Sequence, residues 1–422
     1  MQGRPKIALA ALVLHALTVA ACDGAGPDDA ALASAFVMRD SATIRIVESA
    51  APLWADGEGW TIPSELAVQI GALEGEAPYQ FTRIGWSALF VDERVVVSDA
   101  ADLEIRVFDT SGRHLATMGR RGGGPGEFNV TPVLGFTPPD TLLAFDGRRR
   151  HYARFTLNGR FIDDRSLGGE LEARGLTRWA PASVRSLVAD GSFVLSEGGA
   201  IGLPRPPVAE VDSSLPTLWA VRDWGERVVR IAELQTGELG HQEMERASNP
   251  FFPIHAQALG ADPPAIHVAG PGIAELRTYA LDGGLQRIAR AGIPRVPLTS
   301  ELIDLERQAL LTVAEEGGRD VASRRASFDA LTFPDSAPAI VRVYPAASGG
   351  VWTRRWSHPR QANAPAVYDV FDAEGRWLGP VELPADAGEL QAIGTEHLLT
   401  VWTDELDVPY LRLYRIERPD DG

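Results

Sequence analysis

The histidines beyond the N-terminal region are His114, His151, His241, His255, His267, His358 and His397, and none stands in an HxH or HExxH arrangement. A zinc centre would therefore have to be assembled by the fold from distant segments, and His255 with His267, then His358 and His397, are the residues a fold could bring together. Calcium held by Asp, Glu and backbone carbonyls leaves no spacing signature when its ligands come from separate segments. Bound Ca or Zn thus stays open, while no metal ligand is singled out and no catalytic set emerges: there is no G-x-S-x-G elbow. Two basic clusters, Arg148-Arg149-Arg150 and Arg354-Arg355, present guanidinium forks suited to a carboxylate or sulfate. With 57 acidic residues against 40 basic ones, pairing with neighbouring acids competes with that role. Trp352, Trp356, Trp377 and Trp402 are among ten tryptophans that either stack on sugars or fill a core.

The run GRRGGGPGEF, 119–128, raises phosphate binding, which needs a strand before it and a helix after it. Its flanks are β-like on both sides, ATMG before and TPVLGF after, so it reads as a turn connector. A formal charge of −17 argues against a nucleic-acid partner.

The opening MQGRPKIALAALVLHALTVAAC has a short basic start, an apolar run from Ile7 to Ala21, and small residues before Cys22, the pattern of a signal peptide over 1–21. Val19-Ala20-Ala21-Cys22 resembles the bacterial lipobox, which implies a lipid on the only cysteine of the chain and a membrane association through it. No thiol is then left for a disulfide, a CxxC pair or a nucleophile. Residues 22–40 read as a flexible tether.

The strongest signal is a repeat. VVVSDAADLEIRVFDTSGRHLATMG (95–119) and LLAFDGRRRHYARFTLNGRFIDDRSL (142–167) share one order: an apolar strand ending in Asp, a polar turn, an alternating strand, a Gly turn and a third strand. Phe108 and Phe155 are equivalent, 47 positions apart. The order returns at 266–292, at 351–356 with 366–383, and more weakly at 186–198 with 226–234 and at 390–417, which makes six units. Short alternating strands at that period predict an all-β fold, a six-bladed β-propeller over 41–418. A lone strand, ATIRIVES (42–49), is expected to pair with the last unit and close the ring. One stretch breaks the pattern, PLTSELIDLERQALLTVAEEGGRDVASRRASFDALTF (297–333), where Thr299 or Ser300 can cap a helical insertion spanning about 299–330.

MGRRGGGPGEF followed by TPVLGF and LLAFDGRRRHYARFTLNGRFI resembles the NHL-type repeat, and the mature chain is similar to six-bladed propellers of bacterial lipoproteins. IGALEGEAPYQF (70–81) is a degraded copy of the connector. The resemblance implies a binding or scaffold module for protein or carbohydrate at the cell envelope, on the periplasmic or extracellular side. The alternative it implies is a metal-dependent lyase or lactonase-like hydrolase with ligands converging in the channel. The basic surface of RNA-binding relatives is lacking.

Overall fold

The computed structural model describes residues 36–91, 94–176, 187–197, 217–233, 251, 256–261, 263–270, 272–331, 333–358 and 365–419. They form six sheets arranged as the blades of a propeller. Blade one comprises strands Ile84–Val91, Arg94–Asp99, Glu104–Asp109 and His114–Met118, and blade two runs from Val133–Thr137 through Thr141–Asp146 and His151–Thr156 to Phe161–Ser166. Blade three shows Phe193–Glu197, Thr217–Arg222 and Arg227–Glu233 among the described residues. Blade four holds Ala256–Ala261, Pro264–Ala269, Glu275–Tyr279 and Leu285–Ala291, and blade five Ile340–Pro345, Val351–Arg355, Ala366–Phe371 and Trp377–Leu383. Blade six takes Glu389–Ile393, His397–Thr403 and Pro409–Arg415 from the C-terminal end of the chain and Val68–Ile70 from the N-terminal side.

Two of the Gly turns that mark the repeat are built one way. In FDTSGR, Asp109 Oδ1 accepts from the backbone N–H of Ser111 at 3.1 Å and of Arg113 at 2.9 Å, and Gly112 takes a φ of +84°. In FDAEGR, Asp372 Oδ1 accepts from Glu374 at 3.0 Å and Arg376 at 2.8 Å, with Gly375 at +89°. A side-chain acceptor closes the turn and glycine supplies the left-handed backbone.

The Asp that ends each second strand in blades one and two does a different job. Asp146, buried, accepts from Arg148 and Arg149 N–H at 2.9 Å each and from Asn129 N–H at 2.6 Å. Asn129 belongs to the segment entering the blade, so one carboxylate ties the turn to the incoming connector. Asp99 repeats this with Ala101 at 2.9 Å and Thr82 at 3.3 Å.

Ring closure is by the N-terminal side of the chain, with a different strand from the expected one. Val68–Ile70 pairs antiparallel with Leu411–Leu413 and completes blade six. ATIRIVES instead supplies Ile44–Ser49, which pairs in parallel with Leu285–Ala291 on the outside of blade four. Phe36–Ser41, inside the expected tether, pairs with Ile44–Ser49 and makes blade four six-stranded. The signal region, Cys22 and the rest of the tether lie outside the described residues.

The insertion between blades four and five is helical as expected, Ser300–Glu316 and Val321–Asp329. Thr299 caps the first helix through Leu302 N–H, and Asp320 the second through Ala322 and Ser323. Leu302 and Ile303 pack with Phe251, Trp356 and Phe333, against loops of the propeller.

Asp146→Ala leaves three part-buried backbone donors without their acceptor and is expected to cost about 1 to 3 kcal/mol. Chemical denaturation of both proteins checks this, and an unchanged midpoint would contradict the role given to Asp146.

Candidate functional site

Where blades four and five meet, side chains leave a cavity of about 750 Å³. Its floor follows from strand register. His267 pairs with Thr278, Thr278 with Arg287, Arg287 with Arg45 and Arg45 with Asp40, so one row of polar residues crosses five neighbouring strands of blade four. Paired residues share a face of the sheet, and all five line the cavity. The far wall is the first hairpin turn of blade five, Pro345 to Gly350, together with Ala373.

His267 is 5% exposed, and its Nδ1 lies 3.2 Å from Thr278 Oγ1. Gly260 leaves the other edge of the ring open, since a Cβ there would come within 3.3 Å of Nε2. Burial first, and the Arg287 charge second, push the imidazole down to about 4, so it is neutral at physiological pH. Arg287 enters over Gly375, where a Cβ would sit 2.8 Å from its Cδ, and it donates to Ala373 O. Burial holds its guanidinium below the ordinary value, Arg45 adds to that, and Asp372 and Glu374 oppose it. Arg45 donates to Asp40 Oδ1 at 3.1 Å and is half exposed.

Two arginines directly opposite in register repel each other, which costs stability unless an anion lies between them. The lining itself carries Arg45 and Arg287 against Asp40, with His267 neutral and with Asp372 and Glu374 acting on Arg287 from outside the lining, in a chain whose formal charge is −17. Thr43, Thr278, Gln286 and Ser348 add hydroxyl and amide groups. The chemistry on offer is recognition of an anion bearing hydroxyls.

The arginine clusters go elsewhere. Arg149 donates to the carbonyls of Gly123 at 3.0 Å and Glu127 at 2.5 Å, locking the glycine connector. Arg150 pairs with Glu172, and Arg148 is exposed. Arg355 forms a two-point pair with buried Asp369 at 2.6 and 2.7 Å, and Arg354 lies 3.9 Å from Glu389. Trp352, Trp356 and Trp377 are buried in cores, while Trp402 lies under Arg412 at 3.7 Å. Within GRRGGGPGEF, Glu127 accepts from Gly124 N–H at 2.7 Å and Gly119 leaves room for buried Phe128, so the loop is the turn connector its flanks implied. Of the histidines, His241 and His255 lie outside the described residues, and His358 is buried 3.9 Å from Glu306 of the insertion. Among the described residues no three His, Cys, Asp or Glu side chains converge as a metal site.

No protein-family model matches the sequence, and no curated protein matches it. Many solved structures match it, among them three that align over most of its length. A protein from Bacteroides fragilis described as exported is 12% identical, covers 84% of this chain and 95% of its own, and gives a TM-score of 0.43. A DUF4221-family protein from Bacteroides vulgatus is 8% identical over 86% of this chain and 99% of its own, with a TM-score of 0.47. A gluconolactonase from Xanthomonas campestris is 14% identical over 80% and 88%, with a TM-score of 0.40. At these values the likeness carries nothing about activity. The sheet topology itself defines the chain as a six-bladed β-propeller.

The His267 shift has a measurable consequence. The unfolded chain takes up this proton below about pH 6.5 and the folded one only near 4, so the stability present above 6.5 drains away as pH falls through that window. His267→Gln removes the titration. The difference in unfolding free energy between the two proteins is expected to change by about 3 kcal/mol between pH 7 and pH 4, and parallel pH profiles in thermal unfolding would refute it.

Proposed function

We propose that this chain is an exported, lipid-anchored propeller of NHL type that serves as a binding module at the bacterial cell envelope. It takes a small hydroxylated carboxylate between blades four and five. The carrying observation is the register of Arg45 against Arg287 beside neutral His267 in a cavity of about 750 Å³. A carboxylate placed between the two guanidinium groups relieves their repulsion and forms charge-assisted hydrogen bonds, each worth about 1.5 to 3 kcal/mol. Thr278 and Ser348 suit the hydroxyls, and no reacting group is needed for this role. The anchor rests on Val19-Ala20-Ala21-Cys22 at the end of the apolar leader, and the NHL assignment on the shared order of the first two units.

Two measurements test the reading. Calorimetric titration with glucuronate, with glucose as the uncharged counterpart, is expected to show binding of the acid alone, weakened about ten- to hundredfold by Arg287→Gln. Equal binding of acid and sugar, or an Arg287→Gln protein that binds like the parent, would sink the site. Cys22→Ala is expected to move the protein from the membrane to the soluble fraction and to abolish incorporation of labelled palmitate.

A further inference from the structure

The two faces of the ring are not alike. In a four-stranded meander the connectors between blades and the turns from second to third strand emerge on one face, and the other two turns of each blade on the opposite face. The cavity opens on the second of these, beside the turns at Ala42–Thr43, Pro345–Gly350 and Ala373. The N-terminal segment arrives on the first. Phe36 pairs with Ser49, Ser49 with Ala291, and Gly292 N–H donates to Ser49 O at 2.9 Å where the chain leaves blade four for the helical insertion.

That connector face carries exposed apolar side chains in the sector the N-terminal segment serves. Ile273 lies in the second turn of blade four, Val296 just before the insertion, Leu305 and Val313 within it, Leu406 in the second turn of blade six and Leu73 in the connector leaving it. Their exposures run from 38% at Val296 to 70% at Leu406. Among the described residues no large apolar side chain of comparable exposure lies in a turn of the opposite face; Val37, Met38, Leu115, Phe161 and Ile162 sit in outer-rim strands. Over blades one and two the connector face changes character and exposes Arg121, Arg148 and Asp102 together with Arg120, which pairs with Glu127.

We infer that the connector face rests on the lipid surface, with blades four to six against the apolar boundary, the arginines of blades one and two at the headgroups, and the cavity opening away from the membrane. The inference rests on the lipid attachment proposed above. Cys22 lies fourteen positions before Phe36, a reach of about 50 Å at full extension, so the tether alone fixes no orientation. Partial insertion of apolar side chains supplies it, as for interfacial proteins that combine an acyl anchor with a second membrane contact. Six apolar side chains exposed in the turns and insertion of one face, with none so exposed in a turn of the other among the described residues, make the first the contact face, and the point where the tether arrives selects the bilayer.

The test uses the full-length lipidated protein in vesicles of phosphatidylcholine and phosphatidylglycerol. Since the only native cysteine carries the lipid, a fluorophore can be placed singly at Leu305→Cys, Ile273→Cys or Ser348→Cys. Quenching by lipids brominated along the acyl chain is expected to be several-fold stronger at 305 and 273 than at 348, and Val313→Glu is expected to reduce it at 305 while the protein still floats with the vesicles. Equal quenching at all three sites in floating protein overturns the orientation and leaves the anchor standing. Energy transfer between labelled copies without quenching also overturns it, by showing that a second copy covers the face. Protein that fails to float refutes the anchor itself.

Discussion

The ring depends on a seam three residues long. Val68–Ile70 against Leu411–Leu413 is the one place where blade six borrows a strand, and without it the edge of Pro409–Arg415 would stand open. So short a pairing is reinforced by everything upstream of it. Leu53 and Trp54 donate to the carbonyls of Trp377 and Leu378 in blade five, and Thr61 exchanges hydrogen bonds with Glu417. Ile44–Ser49 is already bound to blade four. The N-terminal segment therefore runs as a strap across the outside of blades four and five before it closes blade six, and the seam is held by the whole strap.

The strap also makes the cavity. Had the chain gone directly to blade six, the outer edge of blade four would end at Arg287 and the polar row would stop there. Adding two strands brings Arg45 and Asp40 into line, so the feature that closes the fold completes the site. The junctions between blades are apolar, as between blades one and two, where Val107, Phe128 and Phe155 share a cluster, and between blades four and five below the cavity, where Leu276, Ala289, Ile340 and Phe371 share another. The polar row is thus a local departure from the way the rest of the ring is stabilised, and local departures of this kind mark function more often than structure.

The six units, their Gly turns and the helical insertion were legible because each is written in adjacent residues: an Asp, a Gly, a capping Thr. What could not be read was pairing over long distance. ATIRIVES has the alternation of a strand, but nothing in it says that its partner is Leu285–Ala291, and a three-residue closing strand is too short to show any period. FVMRDS, with one apolar run and no repeat around it, looked like tether. The arginine triplet drew attention through adjacency, yet Arg149 is consumed by connector carbonyls, whereas Arg45 and Arg287 face each other across some 240 positions of sequence. His267 was visible only as one histidine among seven. Its placement inside the apolar strand AIHVA was the available signal, since a histidine buried among aliphatic neighbours must find a polar face somewhere.

The hairpin of Phe36–Ser41 and Ile44–Ser49 has a mechanical meaning. With the proposed anchor at Cys22, any pull between membrane and propeller is applied at Phe36, the open end of the hairpin. The load falls on the Phe36–Ser49 pair first and would open the bonds one after another toward Ser41–Ile44. The bends at Ala42 and Thr43, which wall the cavity, lie at the far end of that line. The hairpin works as a fuse: force is spent on its outer rungs before it can deform the cavity or reach the seam that holds the ring shut.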